Sequence, residues 1–228
     1  KRICLSSKTL PRAPGNGAIT EIDTKADVLS TVYALVSAVE AREPYIHGHS
    51  RKVNTYAVAL AQAIGLSPDE VSKVSASALL HDIGKIAIPG EVLNKRGKLS
   101  REDWEAIKVH PRLGANIVSS IPSLAACVSS ILHHHERWDG NGYPEGLRGE
   151  EIPLEARILA MADSFEAMTS PRPYRAALPL EQVMKELRQG AGTQFDPKLV
   201  DVFIGIVEAG LPESVKMGEN SASDQSTV

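Results

Sequence analysis

From about residue 28 to residue 210 the apolar residues recur every three or four positions, in segments that open on capping residues and close on glycine. That period belongs to helices buried along one side, and nothing in the chain has the alternation of a sustained sheet. Val28, Val32, Leu35, Val36 and Val39 make one stripe, and Val53, Tyr56, Ala57, Leu60 and Ile64 make another. Gly65 stops that second helix. Ser67-Pro68-Asp69-Glu70 restarts the pattern: Ser67 can cap, Pro68 suits a first turn, and Glu70 can complete a capping box. Val71, Val74, Ala78 and Leu79 then carry the apolar face. Ser100 and Asp103 open a helix through Trp104 and Ile107, and Pro122-Ser123 opens one expected to reach about Glu136. Asp196-Pro197 starts the last, with Leu199, Val200, Phe203, Ile204 and Val207 inward and Gly210 ending it. The Gly- and Pro-dense loop from Asp139 to Pro153 has room for a short hairpin at most. The expected fold is an all-α helical bundle with little or no β structure.

A chain of 228 residues can bury one substantial core. Residues 1–25, rich in Pro, Gly, Ser and Thr, read as a linker after an absent upstream domain; the chain opens at Lys1 without Met. Residues 26–211 form the folded domain, and the polar segment 212–228 is expected to be a disordered tail. No stretch approaches the roughly 20 uninterrupted apolar residues of a membrane span, so no membrane contact is expected from this segment. A formal net charge of −3 argues against DNA as a partner, while a small anion would need only a local basic cluster. Cys4 and Cys127 form no CxxC pair and read as unpaired thiols in a reducing compartment, the cytoplasm.

All seven histidines fall between positions 47 and 135. His81-Asp82 follows the apolar run Ala78-Leu79-Leu80 and precedes Lys85. A carboxylate at the end of a buried helix face needs a partner, and imidazole beside carboxylate suits Zn, Mn or Fe. On continued helix Lys85 would share a face with His81, where a metal-bound phosphate would sit; equally, Asp82 and Lys85 could form a local ion pair. On the helix from Ser123, the apolar face Leu124, Cys127, Val128 and Ile131 is flanked by His134 and His135. The same period turns His133 outward, beside Ser129 and Ser130. Asp163, in the mostly apolar run from Arg157, also asks for a partner, either a metal or a cation such as Arg157. His110, before Pro111, is compatible with a plain helix boundary.

These blocks, in this order, strongly resemble the HD-GYP family of HD-domain phosphohydrolases: His81-Asp82-Ile83-Gly84-Lys85, His134-His135-Glu136-Arg137-Trp138-Asp139-Gly140, Gly142-Tyr143-Pro144, Arg172-Pro173-Tyr174-Arg175 and Phe195-Asp196-Pro197. The likeness runs from about Val28 to Val207. It implies an all-helical hydrolase that cleaves cyclic di-GMP to linear pGpG or GMP in bacterial signal transduction. It also implies two divalent transition metals, Fe or Mn. One would take His49, His81 and Asp163, the other His110, His134 and His135, with Asp82 bridging both. Lys85 would meet the scissile phosphate or assist the leaving group, while Arg172 and Arg175 would hold phosphates as planar forks. Tyr143 would shape the substrate entrance.

One branch of the family has a Glu four residues before the first histidine ligand, associated with a third metal. Tyr45 stands there, so two metals are expected rather than three. Gly90, Glu166 and Pro171 each replace a usual acid, and none of them matches a metal ligand. The competing readings are a non-catalytic module that binds a nucleotide or a protein, and an HD phosphohydrolase for another nucleotide. The amphipathic segment before Glu43 suits coupling to an upstream sensor, or a homodimer.

Overall fold

The structure, a computed structural model, describes residues 32–42, 48–172 and 175–210. The readings placed on the linker, the tail, Tyr45 and Tyr174 lie outside these residues. The helices are α1 (32–40), α2 (His49–Ala63), α3 (Pro68–Leu80), α4 (Gly90–Leu93), α5 (Arg101–Lys108), α6 (His110–Ser119), α7 (Val128–His133), α8 (Leu154–Thr169), α9 (Leu180–Gly190) and α10 (Pro197–Glu208). Short 3-10 turns span Ile83–Ala87, Pro122–Cys127 and Gly149–Glu151. Among the described residues there is no strand, only two isolated bridges, Arg172 with Arg175 and Ala191 with Phe195. The fold is all-α. None of the described helices is long and apolar enough to cross a membrane.

Punctuation visible in the sequence sets the helix ends. Gly65 takes φ +80°, a conformation that favours glycine, and lets the Leu66 N–H reach back to Ala61 O at 3.1 Å, which closes α2. Ser67 accepts from Glu70 N while Glu70 accepts from Ser67 N at 2.8 Å, the reciprocal capping box. Ser100 and Asp103 repeat it at α5. Asp196 caps α10, accepting from Lys198 N at 2.9 Å.

The main core joins α2, α3, α8, α9 and α10. Leu60, Leu159, Leu187 and Phe203 are fully enclosed, each worth about 1.5–3 kcal/mol of burial. A second cluster places Val32, Val36 and Val39 against Leu79, Leu80, Ile83, Val118 and Leu124. The stripe of α1 is thus used inside the chain. Arg42, just past α1, fastens its guanidinium to the carbonyls of Lys85, Ile86 and Ile88.

Three local expectations need correction. The helix expected from Ser123 to Glu136 is a 3-10 turn followed by the short α7, which ends at His133. There the histidine side chains take over backbone carbonyls: His133 Nδ1 binds Ser129 O and His134 Nδ1 binds Ile131 O, at 2.8 and 2.7 Å. The segment Asp139 to Pro153 forms turns and one 3-10 turn rather than a hairpin. Finally, α3 stops at Leu80, so Lys85 lies on the following 3-10 turn and not on a continuation of the His81 face.

Candidate metal centre

His81 and Asp82 sit where α3 runs out, and both are buried. The His81 ring donates its Nδ1–H to Ala78 O at 2.8 Å. Its Nε2, enclosed and without a hydrogen bond, is left 3.4 Å from Asp82 Oδ2. The same arrangement recurs twice: His110 Nδ1–H donates to Ile107 O at 2.8 Å and His134 Nδ1–H to Ile131 O at 2.7 Å, each three residues back. A carbonyl can only accept, so each Nδ1 carries a proton and each Nε2, the atom left to ligate, points inward. His49 reaches the same tautomer differently, donating Nδ1–H to the Glu166 carboxylate at 2.6 Å.

Asp82 stands at the centre. Its Oδ2 lies 3.7 Å from His49 Nε2 and 2.7 Å from Lys85 Nζ, while its Oδ1 lies 3.2 Å from His110 Nε2. Asp163, half-buried on α8, places Oδ1 3.4 Å from His49 Nε2. Arg157, its alternative partner, is committed to Asp196 at 2.6 Å instead. Donor atoms of His49, His81 and Asp163 lie within 4.8 Å of one another, as do those of His110, His134 and His135. A third set, His81, Asp82 and His134, joins the two.

This donor set fits divalent metal ions on two physical grounds. His110 Nε2 and His134 Nε2 face each other at 3.3 Å with both Nδ1–H groups committed elsewhere. In the neutral rings two lone pairs then oppose each other, an arrangement a cation relieves. The electrostatics agree. Burial, then the neighbouring imidazoles, hold His134 well below the ordinary histidine value, and burial carries His135 down to about 4. Burial also opposes charge on His81, but the Asp82 carboxylate overcomes it and raises that ring to about 9. Asp82 is held well below the carboxylate range by Lys85 and His81 despite its burial. Neutral imidazoles at His134 and His135 beside the Asp82 carboxylate are donors a divalent transition metal takes, and a bound metal would displace the proton that Asp82 holds on His81.

Backbone proximity makes the cluster possible. A Cβ on Gly84 would sit 2.0 Å from His110 O and 2.6 Å from Gly114 N, so only glycine lets the 3-10 turn lie against α6 and bring His110 to Asp82. The loop after α7 is clasped in the same way. A Cβ on Gly142 would meet Arg137 N at 2.4 Å. The buried Glu136 accepts from Glu145 N at 2.7 Å and from Gly146 N at 3.1 Å. The Tyr143 ring stacks on His135 with centroids 4.9 Å apart, and Lys108 Nζ lies 5.9 Å from the Tyr143 centroid.

His133 does not face outward as its periodicity suggests. It is buried, with Nδ1 on Ser129 O and Nε2 3.2 Å from Glu145 Oε2. Both ring nitrogens are therefore engaged outside the cluster. Ser130, read as an outward neighbour, is buried against Ser77 at 2.8 Å. Arg172 and Arg175 adjoin through backbone hydrogen bonds; Arg172 pairs with Glu166 at 2.9 Å and Arg175 Nη2 donates to Ala167 O at 2.6 Å. In the sequence Glu166 stands out only as a departure from the family pattern and Glu136 only within a motif block, neither with a role. Glu166 lies three residues after Asp163 on one helix face, a spacing that could have flagged it. No periodic signal marks Glu136.

Residues 34–199 match the HD domain family. The chain is 42% identical over 176 residues to the cyclic di-GMP phosphodiesterase response regulator RpfG of Xanthomonas campestris pv. campestris, covering 76% of this chain and 47% of that protein. It is 36% identical over 185 residues to the 3'3'-cGAMP-specific phosphodiesterase 2 of Vibrio cholerae, covering 80% of this chain and 35% of that one. It thus spans less than half the length of these two relatives. The crystal structure of a cyclic GMP-AMP specific phosphodiesterase of Vibrio cholerae, V-cGAP3, superposes with a TM-score of 0.65 at 22% identity, over 84% of this chain and 50% of that one, a likeness of fold. The chain belongs to the HD-domain family and carries the sequence blocks of its HD-GYP branch.

Proposed function

We propose that this chain is a two-metal phosphodiesterase that hydrolyses cyclic di-GMP to linear pGpG or GMP. The observation that carries the reading is the position of Asp82, whose two oxygens face separate nitrogen sets, His49 with His81 on one side and His110 on the other. In this reading His49, His81 and Asp163 would hold one divalent ion, Fe or Mn, and His110, His134 and His135 the second, with Asp82 serving both. Bound metals would supply a water nucleophile of lowered pKa and offset the charge that develops on the phosphoryl oxygens.

The chain's own groups do the rest. Water adds to phosphorus, the bond to the ribose 3′ oxygen breaks, and that oxygen takes a proton. The Lys85 ammonium, 2.7 Å from Asp82, is assigned as that donor. Arg172 and Arg175 hold the phosphates, and Tyr143 forms the wall of the entrance beside His135. Relatives named for cyclic di-GMP and for cyclic GMP-AMP supply the substrate class, and the second nucleotide is the competing substrate.

The test is anaerobic incubation with Mn(II) or Fe(II) and each cyclic dinucleotide separately, with products resolved by chromatography. Chelator-sensitive release of pGpG or GMP from cyclic di-GMP is expected. Turnover of cyclic GMP-AMP alone would reassign the substrate. Absence of both turnover and bound metal would leave a binding module.

A further inference from the structure

Three of the inward-facing histidines are steadied by backbone carbonyls of their own helical turns; His49 is not. It sits at the start of α2, and its Nδ1–H goes to Glu166 Oε2 at 2.6 Å. The same oxygen accepts from Arg172 Nη2 at 2.9 Å, and Oε1 accepts from Ser170 Oγ at 2.7 Å. Glu166 is almost wholly enclosed, at 3% exposure, so its charge must be balanced where it lies, and Arg172 does so. A carboxylate acceptor also makes the opposite ring nitrogen a stronger donor to a metal than a carbonyl acceptor would.

The geometry points to Glu166 as a positioning residue for the hydrolysis proposed above, on which this inference rests: it fixes the ring of His49 for metal binding and, through the same oxygen, sets the Arg172 guanidinium that holds substrate phosphate. Metal holding and phosphate holding then share one anchor on α8. Removing the charge of Glu166 should disturb both. Removing Arg172 should disturb the second far more than the first, because His49 and Ser170 still hold the Glu166 carboxylate.

The metal-depleted chain is titrated with Mn(II) without nucleotide, free Mn(II) being read by electron paramagnetic resonance; KM for cyclic di-GMP is measured separately. Glu166→Gln is expected to weaken one of the two sites by about 10-fold, leave the other unchanged and raise KM. Glu166→Ala should weaken that site further, and Glu166→Asp, which keeps the charge, should recover most of the loss. Arg172→Ala should raise KM while lowering Mn(II) affinity less than Glu166→Gln does. A wild-type chain that binds no Mn(II) overturns the metal reading and this inference with it. A wild-type chain that binds Mn(II), with Glu166→Gln and Glu166→Ala binding it as tightly, overturns this inference alone. If those variants do not fold, imidazole nitrogen NMR of the Zn(II)-loaded wild-type chain decides: a downfield, slowly exchanging Nδ1 proton on His49 supports the inference, and metal bound through Nδ1 defeats it.

Discussion

The two ends of α3 obey different rules. Its start is exposed and self-sufficient: Ser67 and Glu70 satisfy each other's backbone groups within four residues, and no distant part of the chain is needed. Its end is buried and depends on others. His81 and Asp82 meet His49 from α2, His110 from α6 and His134 from the end of α7, together with Lys85 from the next turn. One end serves the helix, whereas the other keeps a buried anion and an unpaired His81 nitrogen that serve no helix at all. Polar groups that do not stabilise their own element are where chemistry should be sought.

Substitutions at the two ends should therefore separate function from stability. The largest effect is expected from Asp82→Asn, which keeps the side-chain shape and removes the charge shared by both donor sets. Bound metal and turnover should vanish together, as read by metal analysis and product chromatography. Full metal content in that variant would show that the anion is not central. Gly84→Ala should come next, because the added carbon meets backbone at His110 and Gly114. A stability loss of about 3 kcal/mol by denaturant unfolding is expected, with weaker metal binding as His110 is pushed from Asp82.

His133→Ala sharpens the contrast within two adjacent residues. It removes contacts to Ser129 and Glu145 and should lower stability by about 1 kcal/mol while leaving metal content intact. Metal loss equal to that of Asp82→Asn would break the distinction between His133 and His134. Ser67→Ala should have the smallest effect, about 0.5 kcal/mol by thermal or denaturant unfolding, with kcat and KM unchanged.

What the sequence made legible follows the same division. The cap at Ser67, the stop at Gly65 and the inward face of α10 were readable because each depends on neighbours within a turn or two. Periodicity brought His134 and His135 forward, yet it misplaced His133. A 100° step per residue loses meaning once α7 has ended, and burial there is imposed by a loop from residues 139–146. Lys85 was misplaced for the same reason, since α3 does not continue through it. The pairings of Glu166 with His49 and Arg157 with Asp196 span 117 and 39 residues, and no local pattern encodes such distances. Resemblance supplied the grouping of the seven proposed ligands; residue spacing alone left Asp163 open between a metal and Arg157.

The clasp formed by Glu136 and Gly142 matters to anyone wishing to transplant substrate preference between relatives. The loop proposed to form the entrance is fastened to the backbone immediately after His134 and His135, with one carboxylate gripping its far side. A Gly-Tyr-Pro triplet moved alone would arrive without its grip or its docking surface. The natural cassette for exchange is residues 134–146, taken whole, so that the doorway travels with the floor on which it stands.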